Sequence, residues 1–150
     1  MAARSTNQEI LAFAKHFPFF NLIGLEVLDV KPNWSLTRIT SRPDLNQPAG
    51  IMHGGVIAAL IDTGIAQAML LTDTIQTAMA EGAALVSIDL RVKYLRPVTA
   101  GSITCESRIL HGGRKIVHAS SVVTNDAGKQ VALGDSTYMI VPGTDLQPRQ

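Results

Sequence analysis

Two short stretches carry residue types that could do chemistry. One is Asp62, set among Leu60, Ile61, Ile65 and Ala66; the other is His53-Gly54-Gly55, which begins nine residues earlier. A carboxylate amid apolar side chains is costly unless something stabilises it, and aspartate is seldom fully buried unless paired. One reading of Asp62 is a structural carboxylate bonded to backbone. The other is a general base or nucleophile facing a pocket, where desolvation makes a carboxylate more reactive; the all-apolar setting favours the second. The tripeptide sits where loop becomes helix. The first helical turn offers free N–H groups and the positive end of the dipole, and glycine lets a ligand approach that backbone. Such a site suits a carbonyl oxygen that gains negative charge during acyl transfer.

The same tripeptide recurs at His111-Gly112-Gly113, between two strand-like runs, where it reads as a hairpin turn. The position of the first copy before a buried helix is therefore what distinguishes it. Other catalytic signatures are missing: the chain has no Gly-x-Ser-x-Gly elbow, no phosphate-binding Gly-x-x-x-x-Gly-Lys loop and no Gly-x-Gly-x-x-Gly. His16, His53, His111 and His118 follow no metal-site spacing. Cys105, the only cysteine, lies mid-strand and reads as a core thiol.

The elements that must position these groups follow from patterning. Thr6-Asn7-Gln8-Glu9 is a capping box, and the helix it opens, about 6–17, ends before Pro18. Gly24 to Ser41 reads as two strands around a Lys31-Pro32-Asn33 turn. Arg42 to Met52, with two prolines and a glycine, reads as loop. From Val56 to Leu71 the apolar residues fall on every face of a helix, and a helix apolar all round is expected to be buried all round. From Ala84 to Tyr94, Val86, Ile88, Leu90 and Val92 alternate with Ser87, Asp89, Arg91 and Lys93, a strand pattern. Further strands are expected at Ser102–Leu110, Arg114–Asn125 and Lys129–Val141. Their separators, His111-Gly112-Gly113 and Asp126-Ala127-Gly128, are short enough for hairpins, so these strands run antiparallel. A flexible tail is expected from about 142. The sum is an α+β chain of one domain, 1–150, with a sheet curled around one apolar helix.

Composition sets outer bounds. With 150 residues, 46% hydrophobic and 17% charged, the chain can bury a sizeable core. A net charge of +1 gives no field that argues for nucleic acid or an anionic membrane. The lone cysteine and the lack of a secretory-type N-terminus point to a reducing, cytoplasmic setting. Spacing adds a constraint of its own. Nine residues of helix separate His53 from Asp62 by roughly 13 Å of rise and about half a turn. One copy of the helix cannot bring both groups to one small bond. If both act together, the helix start must come from one copy and the carboxylate from another, which a symmetric dimer with antiparallel helices supplies twice.

The stretch from Gly50 to Thr63, Gly-Ile-Met-His-Gly-Gly-Val-Ile-Ala-Ala-Leu-Ile-Asp-Thr, resembles the signature of hotdog-fold acyl-CoA thioesterases of the PaaI-like branch. Val86-Ser87-Ile88-Asp89-Leu90, Tyr94-Leu95-Arg96-Pro97, Gly101, Gly113-Arg114 and Gly128-Lys129 follow in family order, so that the likeness covers about residues 20–140. The resemblance implies a curved antiparallel sheet around a central helix, and homodimers that often pair into tetramers. It also implies hydrolysis of acyl-CoA to an acid and CoA, with no metal or cofactor beyond the CoA of the substrate.

Carried over residue by residue, the Gly54 N–H polarises the thioester carbonyl, with His53 beside it. Asp62 of the other subunit attacks or activates water, and Ser87 helps hold that water. The family's asparagine position, six residues before His53, holds Gln47, with Asn46 one place earlier; either amide could serve. Ser87 falls on the polar parity of its strand, so a bulge or the dimer interface must turn it toward the site, or it is simply a surface serine. The substrate side would be met by Gly55, Tyr94, Arg96 and a CoA-contacting hairpin of His111, Gly112, Gly113, Arg114 and Lys115. For the basic rim itself Arg91, Lys93 and Arg96 are weaker candidates than Arg114 and Lys115. Competing readings are a non-catalytic acyl-CoA sensor on the same fold, a hotdog hydratase or dehydratase, and a purely structural oligomer. Asp62 weighs against the first and last.

Overall fold

A computed structural model describes residues 4–146. Helix α1 (Asn7–His16) opens on the expected capping box: Thr6 Oγ1 accepts from the Glu9 N–H, and Glu9 Oε2 accepts from the Thr6 N–H. Pro18 stops it and starts a second short helix, α2 (Pro18–Ile23). Strands β1 (Leu25–Lys31) and β2 (Trp34–Thr40) form a hairpin whose turn holds Asn33 at φ 65°. After a loop with a 3-10 turn at Pro43–Leu45 come the long helix α3 (Gly54–Met69) and a shorter α4 (Asp73–Ala80). Strands β3 (Ala83–Tyr94), β4 (Ser102–Gly112), β5 (Ile116–Asn125) and β6 (Gln130–Pro142) complete one antiparallel six-stranded sheet in the order β1-β2-β4-β5-β6-β3. The sheet curves around α3, which is the hotdog arrangement.

Close approach of helix to sheet depends on missing side chains. A methyl group at Gly64 would stand 2.6 Å from Ser107 Oγ and 3.3 Å from Thr37 Oγ1; Ser35 Oγ also donates to the Gly64 carbonyl, at 2.6 Å. Gly64→Ala is therefore expected to lower stability by about 1–3 kcal/mol through overpacking, despite alanine's better helix propensity. Chemical denaturation checks this; an unchanged midpoint would refute it.

Three expectations change. Helix α3 is not buried all round: Leu60, Ile61, Gly64, Ile65 and Ala68 are buried, but Gly55 is exposed and Ala58, Ala59, Asp62 and Ala66 are only partly covered. One sheet covers one side of a helix, so the small residues form an open stripe at Gly55, Ala59, Asp62 and Ala66. Next, β3 does not alternate simply. Its pairing with β6 slips between Ser87 and Asp89, leaving Ile88 as an extra, exposed residue. Cross-strand partners share a face, so Leu85, Ser87, Leu90 and Val92 lie with Ile140, Tyr138, Ser136 and Gly134 on the helix side of the sheet, Ser87 and Leu90 still exposed there, while Val86 lies on the other side. Finally, where an unstructured tail is expected from about 142, a 3-10 turn runs from Gly143 to Leu146, with the Gly143 N–H bonded to the Gly82 carbonyl. The rest of that stretch, 147–150, lies outside the described residues. Helices α2 and α4 have no counterpart in the sequence patterning. Among the described residues no single helix is long and apolar enough to cross a membrane.

Candidate active site

The start of α3 is held from both sides. The Met52 N–H donates to the Val98 carbonyl and the His53 N–H to the Leu45 carbonyl, each at 2.8 Å. His53 is the N-cap, and its Nδ1 accepts from the Gly55 N–H at 2.8 Å. A ring nitrogen that accepts carries no proton, so in the neutral ring the proton lies on Nε2, which is left as an outward donor. The Val56 N–H is taken by the His53 carbonyl. The Gly54 N–H has no acceptor among the described residues, whereas the Gly54 carbonyl accepts from the Tyr94 hydroxyl at 2.9 Å. Donors free for a ligand at this point are thus the Gly54 N–H and His53 Nε2–H.

These groups open on a cavity of about 450 Å³ with apolar walls from Ile51, Met52, Ile57 and Val98 and polar ones from Gln47, Tyr94 and Arg96. The Arg96 guanidinium donates to the Gln130 carbonyl at 2.6 Å, which ties this rim to the start of β6. Of the two amides considered, only Gln47 lines the cavity. The Asn46 amide donates to the Gly50 carbonyl at 3.3 Å and braces the loop from within.

Asp62 lies two turns further along α3, on its uncovered side, and does not line this cavity. Its Oδ1 accepts from the Tyr138 hydroxyl at 2.8 Å, and its own carbonyl oxygen lies 2.9 Å from the same hydroxyl. Burial, and then the Asp62 charge, push the Tyr138 phenol far above its ordinary range, so it stays a proton donor. Ser87 pairs directly with Tyr138 across the β3–β6 ladder, and its hydroxyl also acts on the phenol. The Ile88 bulge produces this alignment; without it the serine would face away. Patterning did not single out Tyr138. The available signal was an inward run of Ala132, Gly134, Ser136 and Tyr138 on β6, which gave the phenol no visible partner until the helix was laid across it.

Within the chain the structure therefore keeps two groups of candidate residues apart: His53, Gly54, Gly55, Gln47, Tyr94 and Arg96 at the helix start, and Asp62 with Ser87 further along. The hairpin with His111, Gly112, Gly113, Arg114 and Lys115 lies at the opposite end of the sheet. There Gly112 and Gly113 border a cavity of about 230 Å³ beside Met69 and Ile75. Cys105 is buried and free, and burial raises its thiol pKa. Among the described residues no three His, Cys, Asp or Glu side chains come together to hold a metal ion.

Comparison with known proteins agrees with this architecture. A medium/long-chain acyl-CoA thioesterase, YigI of Salmonella typhimurium, is 28% identical over 137 residues, covering 85% of this chain and 88% of the relative. Acyl-coenzyme A thioesterase 13 of Pongo abelii is 27% identical, covering 89% and 93%. The solved PaaI protein of E. coli superposes with a TM-score of 0.77 at 22% identity, covering 91% of this chain and 93% of that one, a likeness of fold. The thioesterase superfamily model matches residues 49–132, more than half of the 150. By that match, over the segment that carries His53, Gly54 and Asp62, the chain belongs to the thioesterase superfamily.

Proposed function

We propose that this protein hydrolyses an acyl-CoA thioester to the free acid and CoA at a site shared by two copies of the chain. The observation that carries the reading is the pairing of a free helix-start donor, the Gly54 N–H, with a carboxylate on the open side of the same helix, out of reach within one chain. In a symmetric pair with antiparallel α3 helices, the start of one helix meets Asp62 of the other. One further feature supports the pair. The edge strand β3 is long, with exposed Ile88 and Leu90, and such an edge is normally covered by pairing. In such a pair the 113–115 hairpin of one copy would come to the end of the sheet that holds the other copy's His53. Further pairing into a dimer of dimers would follow the family habit.

At this site the thioester oxygen accepts from the Gly54 N–H, with the His53 Nε2–H beside the carbonyl or the sulfur, and Gln47 supplies an amide donor on the cavity wall. Asp62 of the second copy takes a proton from water as the water oxygen attacks the carbonyl carbon, and Ser87 holds that water. Collapse of the tetrahedral adduct breaks the C–S bond, and the CoA thiolate takes up the proton. Direct attack by Asp62, giving an anhydride that water then cleaves, uses the same groups. Gly55, Tyr94 and Arg96 line the path of the substrate; His111, Gly112 and Gly113 shape the hairpin that presents Arg114 and Lys115 to the CoA phosphates. Carboxylate and helix start together supply base and oxyanion donor, so the reaction as proposed needs no metal and no further cofactor. A reducing cytoplasm suits the free Cys105.

The acyl group is proposed to be small or aromatic. A medium or long chain is the second reading, favoured by the medium/long-chain activity of the Salmonella relative. Purified protein is expected to release thiol from acyl-CoA, read with a disulfide reagent across a panel of short, aromatic and long acyl groups. The panel ranks the two readings, and no release from any member would sink both.

A further inference from the structure

We infer that Tyr138 is a positioning residue for Asp62: its hydroxyl pins one carboxylate oxygen so that the other is presented to the uncovered side of α3. The inference rests on the proposed role of Asp62. Its basis is geometric. The phenol lies 2.8 Å from Oδ1 and 2.9 Å from the carbonyl oxygen of the same residue, so one proton is shared by two acceptors on Asp62. That double contact holds the side chain against its own backbone and restricts the rotation a partly exposed aspartate would otherwise have. Among the described residues Oδ2 accepts no hydrogen bond, and Asp62 has no ion-pair partner, so the second oxygen is the one left for chemistry. Tyr138 is itself fixed: it is 4% exposed, and it pairs across the ladder with Ser87 at the bulge. Reactions of this kind are sensitive to placement, a misplacement of about 1 Å costing on the order of 100-fold in rate.

Tyr138 is also part of the apolar core, so the test must separate packing from positioning. Tyr138→Phe keeps the ring and removes only the hydroxyl. It is expected to lower kcat about 10- to 100-fold with KM within about twofold of the parent. A kcat within about twofold of wild type overturns the inference. In an Asp62→Asn background the same change is expected to leave the residual rate untouched, because its target is already disabled; a loss as large as in the parent marks a general structural effect and also overturns it. Asp62→Asn alone keeps the two readings distinguishable. Wild-type turnover in that variant fails the Asp62 reading itself, whereas a large loss there beside an unaffected Tyr138→Phe fails only the positioning role. A third readout does not depend on the tyrosine variant folding. The chain has two tyrosines, Tyr94 and Tyr138, so 3-fluorotyrosine labelling gives two 19F resonances. With the two peaks assigned through Tyr94→Phe, Asp62→Asn is expected to move the Tyr138 resonance, and an unmoved Tyr138 resonance would overturn the contact.

Discussion

Asp62→Ala is expected to lower kcat toward acyl-CoA by about 10²- to 10⁴-fold, the range for loss of a positioned general base, while the fold and oligomer persist. The structure explains why the two effects separate. Asp62 lies on the partly exposed side of α3, so a smaller side chain leaves an opening to solvent and not a sealed core cavity. The Tyr138 hydroxyl keeps an acceptor, the main-chain carbonyl of residue 62, at 2.9 Å. The stability cost should then be near that of one hydrogen bond, about 1 kcal/mol. Steady-state kinetics beside thermal unfolding and sedimentation check the prediction. Full activity in a folded variant would remove Asp62 from the chemistry; loss of activity together with loss of fold would make it the structural carboxylate that its apolar setting first left open.

That ambiguity shows where sequence reading reached its limit. The helix start was legible because its signals are local: a loop that gives way to a histidine, two glycines and an apolar run. The strands and their order along the chain were legible for the same reason, since alternation and short turns act between neighbours. Non-local contacts were not. Tyr138 and Asp62 are 76 residues apart and meet only when α3 crosses β6. The Ile88 bulge was needed to turn Ser87 inward, but nothing in Val86-Ser87-Ile88-Asp89 marks which residue is extra, because all four fit a strand. Helix α4 escaped notice because Asp73-Thr74-Ile75-Gln76-Thr77 is polar and β-branched, and much of what holds it comes from outside the segment. The Gln76 amide donates to the Leu70 and Ser5 carbonyls, at 2.7 and 3.1 Å. The uncovered stripe of α3 was hidden by a different feature: alanine and glycine count as apolar in any pattern, whether they face a core or a second copy of the chain.

Gly54→Pro should also be severely impaired, and it tests the shared site. Proline at the first helical position is well tolerated, and it requires an extended residue before it. His53, at φ −64° and ψ 135°, already has that conformation. The backbone can therefore accept the ring, and what disappears is the Gly54 N–H, which has no acceptor among the described residues. Loss of an oxyanion donor costs about 10²- to 10³-fold in kcat. A side chain here would also crowd the Tyr94 ring, whose atoms would stand 3.0 Å from a methyl group at this position. Gly54→Ala carries that crowding with the N–H intact, so the ratio of the two variants isolates the donor. When Asp62→Ala and Gly54→Pro chains exchange subunits, each mixed dimer has one site with both lesions and one site with neither. With half of the dimers mixed, activity should return to about a quarter of wild type from two nearly inactive parents. Confirmed exchange without recovery would place both groups in the same chain's site, which a straight helix spanning roughly 13 Å between them does not allow, and would return Asp62 to a purely structural role.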